Sequence, residues 1–317
     1  MDRPEAQSVA GLVAVRAEQD PTRSALVFPD DHADMTRADV HLRAGAAAVV
    51  FSSGGLAHGK KLAVMLPNGA RYATSLFGAW RLGAIVVPVD PMLKGPDARD
   101  LIMASCATAL VIDERRLVEL SGLLEECNSL EAVFAIGGSP SLPRFRDFDA
   151  LLSATVEKKE SVAGGNPEAG DVAIEAYRFH TDNLEAVRRT HEALIEDAAR
   201  LADQLAMTPE DRGICAIPLG HGDGVTALVA AVAAGSRLVI PERFDARHFW
   251  ELAAAQRATW LALMPTQFLD LQFAGPPESS AHVSVRVVTI AGRTVTSKAR
   301  DEFADKFGVR VVAQVTA

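Results

Sequence analysis

KLAVMLPNGARYATSLFGAWRLGAIVVPVDPML, residues 61–93, decides the fold. Leu62 to Leu66 is a short apolar run, stopped by Pro67-Asn68-Gly69, a strong turn signal. Tyr72, Leu76 and Trp80 then recur at helical spacing, with Ala73 and Phe77 beside them, and Gly83 closes that helix. Residues 84–90, AIVVPVD, are rich in β-branched side chains and read as a strand. Strand–helix–strand alternation implies a largely parallel sheet covered by helices.

The same alternation extends in both directions. Residues 35–48 look helical, with Thr36 as cap. Residues 96–105 read as helix, ALVID (109–113) as strand and EAVFAIG (131–137) as another. Residues 153–170, SATVEKKESVAGGNPEAG, are polar with Gly and Pro and read as a surface linker. Beyond it, Val187, Leu194, Ala198, Leu201 and Leu205 mark one face of a helix. Strands are expected at 213–218, 236–240, 259–265, 285–292 and from 309 onward. Helices are expected at 224–234, from an Asp245 cap to Gln256, and from Thr296 to Gly308. The expected organisation is a first α/β subdomain over 1–152, a linker over 153–170 and a second α/β subdomain over 171–317.

Composition bounds the function. The chain has 317 residues, 49% of them hydrophobic and 23% charged, which is ample for a large core. The formal charge of -9 argues against nucleic-acid or anionic-membrane binding. Cys106, Cys127 and Cys215 lie far apart with no zinc spacing, and read as buried free thiols in a reducing compartment. MDRPEAQSVAG has no apolar signal core, and the longest apolar run, near Val225 to Ala234, is too short to span a bilayer. The expectation is a cytoplasmic protein with no membrane span.

The order of these pieces resembles the large N-terminal domain of the adenylate-forming superfamily: acyl-CoA synthetases, adenylation domains of nonribosomal peptide synthesis, and luciferases. Residues 61–93 look like its first subdomain. IPLGHGDGVTALVAAVAAGSRLVI (217–240) is similar to its histidine-bearing segment. RFDARHFWELAAAQRATWLALMPTQFLDL (243–271) and VRVVTIAGRTVTSKARDEFADKFGVRVV (285–312) are similar to the stretches that follow. The resemblance implies two stacked, mostly parallel sheets with flanking helices. It also implies a reaction, in which ATP activates a carboxylate to an acyl-adenylate and a thiol such as coenzyme A takes the acyl group.

Set against that family, the phosphate-binding loop is altered. Where the family has a Tyr-Thr-Ser-Gly-Thr-Thr-Gly-x-Pro-Lys-Gly loop and then Thr-His, this chain keeps Tyr177 and Thr190-His191 around RFHTDNLEAVRR. Glycines let successive N–H groups turn inward around phosphate oxygens, and none remains. Arg178, Phe179, His180, Thr181, Asp182, Asn183 and Glu185 stand there instead. A carboxylate beside a polyphosphate costs about 1 kcal/mol even in water at ~4 Å. Arg188 and Arg189 offset some of that charge, but arginines on a helix do not rebuild a backbone nest. The favoured reading is a degenerate loop that has become a turn into a helix over 186–205, with Asn183 as candidate cap. An alternative anion site is the other reading.

Elsewhere the resemblance leaves a partial pocket. His221 matches the family histidine near the acyl group, and Gly224 follows it. Ala291, Gly292, Arg293 and Thr294 stand where the family has Gly-Gly-Ala-Pro along the adenine. Asp223 raises the question of an acid–base pair with His221, against the simpler reading of local hydrogen bonding in a turn. Against the family's Tyr-Gly-x-Thr-Glu, Val315 and Thr316 stand for Tyr and Gly in an ungapped alignment and the sequence stops before the metal-binding glutamate; with a gap, Thr316 keeps the threonine and Ala317 replaces the glutamate. The expectation is therefore a chain cut before the barrel-like part, without the C-terminal domain, catalytic residues, metal site or cofactor.

Three function classes follow. The favoured one is a catalytically inactive binding, regulatory or assembly module. It would act as a homodimer or with a synthetase or carrier protein, with an acyl or aromatic carboxylate as ligand. The second is an AMP-forming carboxylate–CoA ligase with an altered or partner-completed site, for which ATP and Mg would be cofactors. The third is a relic without selected activity.

Overall fold

The computed structural model describes residues 6–138, 144–160, 165, 167–179, 184–274, 284–292 and 294–313. The first elements are α1 (Val9–Gln19), β1 (Ser24–Phe28), β2 (Ala33–Thr36), α2 (Arg37–Ser53), β3 (Lys61–Met65), α3 (Ala70–Arg81) and β4 (Ile85–Pro88). Next come α4 (Gly95–Ser105), β5 (Ala109–Asp113), α5 (Glu114–Leu124), β6 (Ala132–Ile136), β7 (Phe145–Asp147) and α6 (Phe148–Glu157). They are followed by β8 (Val172–Phe179), β9 (Leu184–Thr190), α7 (His191–Leu205), β10 (Arg212–Cys215), α8 (Gly222–Ala234) and β11 (Arg237–Val239). The last are α9 (Phe249–Ala255), β12 (Trp260–Leu263), α10 (Pro265–Ala274), β13 (Val287–Ile290), α11 (Ser297–Phe307) and β14 (Arg310–Ala313).

Two seven-stranded sheets form, ordered β7-β6-β5-β3-β4-β8-β9 and β14-β13-β12-β10-β11-β1-β2. Pairing is parallel except for β1 with β2 and β8 with β9. Alternation along β3 shows how each sheet is covered on both faces. Leu62 and Val64 point into a central core with α1, α2, α3, α6, α7 and α8. Ala63 and Met65 point the other way, against α4 and α5. The second sheet shares the central core through Leu26, Phe28, Leu238 and Trp260, and its far face packs Ile214, Leu261 and Val288 under α9, α10 and α11. The result is the expected pair of stacked sheets, with one helical layer between them and one outside each.

Local chemistry fixes these elements. Thr36 and Asp39 form a reciprocal capping box at the start of α2, with Asp39 N–H donating to Thr36 Oγ1 at 3.1 Å and Thr36 N–H to Asp39 Oδ2 at 2.9 Å. At Gly78 a Cβ would lie 2.5 Å from that of Ala47, so the missing side chain is what lets α2 and α3 pack this closely. Trp80 donates its indole N–H to Ala173 O at 2.9 Å, tying α3 to β8.

Several expectations are corrected. Residues 184–190 are a strand, held by antiparallel pairing with β8, and the following helix begins at His191 with Thr190 as its cap. Asn183 lies outside the described residues. Asp245 does not open α9, which starts at Phe249; its carboxylate accepts from Arg247 N–H at 3.0 Å and faces His248 Nδ1 at 2.9 Å. Cys127 and Cys215 are buried free thiols, but Cys106 is exposed. Residues 153–157 complete α6, and sheet membership crosses the 153–170 segment in both directions. The N-terminal hairpin β1–β2 belongs to the second sheet, and β8–β9 closes the first.

Candidate functional site

Parallel strands send their C-terminal ends to one side, and there loops of the two sheets meet. Asn68, in the turn after β3, joins them. Its Nδ2 donates to Ile217 O and Pro241 O, each at 3.3 Å, and its Oδ1 accepts from Leu219 N–H at 2.7 Å. The sequence flagged this residue only as a turn former.

His221 sits at the N-cap of α8, with its imidazole half exposed. Its Nδ1 accepts the backbone N–H of Asp223 at 3.2 Å. The Asp223 carboxylate, almost wholly buried, is 3.7 Å from the same nitrogen, beyond hydrogen-bond distance. The pair is thus a helix cap with a neighbouring carboxylate, rather than a base oriented by an acid. Gly224 is small for a structural reason, since a Cβ there would stand 2.2 Å from Pro218 O. Ala291 is buried at the end of β13, Gly292 takes a left-handed φ of +63°, and Thr294 is exposed. Arg293 lies outside the described residues.

The β8–β9 hairpin stands where the resemblance places the phosphate loop. Tyr177 and Arg178 are on β8; His180, Thr181, Asp182 and Asn183 lie outside the described residues. Pairing sets Glu175 opposite Arg188, Tyr177 opposite Ala186 and Arg178 opposite Glu185. Because side chains alternate across a strand, Arg188 and Arg189 leave on opposite faces. Arg188 Nε donates to Glu175 Oε2 at 2.6 Å. Lys61 Nζ and Tyr177 Oη each donate to Glu175 Oε1 at 2.5 Å. Glu175 has no solvent exposure. Burial works to raise its pKa, but the hydrogen bonds from Lys61, Tyr177 and Arg188 outweigh that and hold the carboxyl below its ordinary range.

Arg189 goes the other way, between α7 and α8. It bonds Asp197, donates to Thr226 Oγ1 at 3.2 Å, and reaches Gly222 O at 3.3 Å. Burial pulls its pKa below the ordinary arginine value, opposed by Asp223 and reinforced by Arg200. The hairpin is thereby anchored to the turn that carries His221. The structure brings Arg189, Asp223 and the His221 turn together, but sends Tyr177 to the opposite face, where its hydroxyl also lies 3.4 Å from Ala104 O. Sequence reasoning missed Lys61, Glu175 and Asp197. A carboxylate inside the apolar run VAIEAY was the available signal, since a buried Glu is rare unless paired.

Among the described residues, no group of three or more His, Cys, Asp or Glu is placed to hold a metal ion. Among them, too, no helix is long and apolar enough to cross a membrane.

This architecture agrees with comparisons to known proteins. Residues 13–173 and 185–315 match the family described as AMP-binding enzyme. The chain belongs to that family. It is 28% identical over 309 residues to a sulfoacetate–CoA ligase of Cupriavidus necator, covering 96% of this chain and 58% of that protein. It is 26% identical over 256 residues to 4-coumarate–CoA ligase 5 of Oryza sativa subsp. japonica, covering 79% and 46%. A long-chain-fatty-acid–CoA ligase of Archaeoglobus fulgidus shares the fold with a TM-score of 0.83 at 20% identity, over 99% of this chain and 64% of that one. The chain spans about half the length of the curated relatives it matches. The family match breaks between residues 173 and 185, the span that holds Glu175 and Tyr177.

Proposed function

We propose that this chain is an acyl-CoA synthetase-like protein whose phosphate loop no longer holds a nucleotide, and that it works as a binding, regulatory or assembly module. The observation that carries this reading is the engagement of the hairpin arginines. Arg188 is bonded to the buried Glu175, and Arg189 to Asp197 and the first turn of α8. Recruiting either to a phosphate would take one cation from a buried carboxylate, Glu175 keeping Lys61 and Tyr177 and Asp197 keeping Arg200, and that loss opposes nucleotide binding. The break in the family match between residues 173 and 185, which holds Glu175, also supports the reading.

On this reading a small acyl or aromatic carboxylate binds beside His221, and a second copy, a synthetase or a carrier protein is the partner. ATP–pyrophosphate exchange with a panel of carboxylates tests it: exchange at the level of buffer is expected, and turnover above it overturns the proposal. One observation favours a second reading, an AMP-forming carboxylate–CoA ligase with an altered or partner-completed site. The family match resumes at residue 185 and runs to 315, and both curated relatives named above are CoA ligases. Exchange that appears only on adding a protein partner would select it.

A further inference from the structure

Arg16, on α1, and Arg37, the first residue of α2, are both buried, at 9% and 8% exposure. Both reach the C-terminal end of α8. Arg16 Nε donates to Val232 O at 3.2 Å, its Nη2 donates to Ala233 O, and its Nη1 donates to Gln19 Oε1 at 2.8 Å. Arg37 Nη2 donates to Gly235 O at 2.7 Å. Gly235 has a left-handed φ of +68°, and a Cβ built there would lie 2.8 Å from Arg37 Nη2 and 3.5 Å from Arg16 Nη1. The two guanidiniums therefore converge beside that glycine. They do so at the N-terminal ends of β1 and β11, the opposite side of the sheet from the loops around His221.

The charge at this point does not balance. Among the described residues, neither arginine has a carboxylate within ion-pair distance. The end of α8 supplies about half a negative charge against two positive ones. Burial and then the Arg37 charge pull the Arg16 pKa down; burial and then Arg23 do the same to Arg37, opposed by Asp20. An arginine still keeps its proton at ordinary pH, so the strain is not relieved by neutralisation. Buried charges are costly unless compensated.

A cavity of about 20 Å³ lies between the two side chains, with Val13, Leu26, Val40 and Val232 as apolar walls. That volume takes one particle about the size of a water molecule. Water would fill it without supplying charge, and a carboxylate or phosphate is too large. A halide suits the volume, the charge and the apolar walls. We infer that Arg16 and Arg37 form a buried site for one monatomic anion of the chloride class, which ties α1 and α2 to the junction of α8 and β11.

Urea unfolding of the full chain tests this, with sodium gluconate exchanged stepwise for sodium chloride at one ionic strength. The folding constant should rise saturably with chloride, roughly tenfold once chloride exceeds its dissociation constant tenfold, and bromide should act alike. Arg37→Met keeps an aliphatic stem and removes one guanidinium; the chloride response should be lost, whatever the baseline stability. A wild-type crystal soaked in bromide gives a readout that needs no variant, an anomalous peak between the two guanidiniums. Equal stability in chloride and gluconate overturns the inference. So does a chloride response that survives in Arg37→Met, or a soaked crystal without bromide at the site.

Discussion

Arg188 Nε lies 2.6 Å from a carboxylate oxygen of Glu175, a side chain with no exposure to solvent. A charge on one strand of the hairpin is therefore held by a buried counter-charge on the other, and Lys61 of β3 completes the neutralisation. The two strands of the hairpin are thereby tied to each other and to β3 through one carboxylate.

Glu175→Gln should lower stability by roughly 2 kcal/mol, since it leaves Lys61 and Arg188 without their carboxylate; the figure is modest because Arg188 is more than half exposed. Urea unfolding measures it. Glu175 also sets an acid-side dependence. Its folded pKa is depressed, so its contribution is complete above the ordinary Glu value and is lost as pH falls through the lower folded value. The variant should lose that part of the acid sensitivity.

His191 governs a separate window. It is wholly buried, its Nδ1 faces Val9 N–H at 3.4 Å, and burial pushes its pKa down to about 4 against the opposing pull of Asp171. Between the ordinary value of 6.5 and about 4, the unfolded chain takes up a proton and the folded chain does not. Stability is therefore complete above pH 6.5 and falls by about 3 kcal/mol across this range. Denaturation midpoints measured every half unit from pH 7.5 to 4 should show the slope, and His191→Gln should flatten it.

How much of this was legible beforehand depended on the range of the interactions. The strand, turn and helix of residues 61–81 were readable because Leu62–Leu66, Pro67-Asn68-Gly69 and the Tyr72–Leu76–Trp80 stripe are local signals. β9 was not, because Val187 and Leu194 share a helical spacing with Leu201, and only pairing with β8 makes residues 184–190 a strand. Asp245 looked like a cap, but the helix begins three residues later than its local sequence implies, with His248 at the cap position. Lys61 and Glu175 are 114 residues apart, and Asn68 bonds partners about 150 residues away, so neither cluster leaves a pattern in a sequence window.

Asn68→Ala should cost about 2 kcal/mol, because one side chain supplies bonds to three backbone groups of the facing loops. Thermal unfolding checks the magnitude. A shift below 1 °C would show that the loops hold together without it.

Gly224→Ala should also destabilise, by roughly 1–3 kcal/mol, because the added methyl meets the Pro218 carbonyl and must push the first turn of α8 away from the loop before it. Gly59→Ala is not an equal control, since that glycine has a positive φ; Gly122→Ala, in open space on α5, is, and should be neutral or slightly stabilising.

The central claim is that the hairpin holds its own charge instead of a phosphate, and calorimetric titration of the intact protein with Mg·ATP tests it most directly. The account predicts no saturable heat up to about 1 mM nucleotide, alone or with a carboxylate present. A saturable isotherm below that concentration would mean that Arg188 and Arg189 leave Glu175 and Asp197 for the nucleotide, and would contradict it.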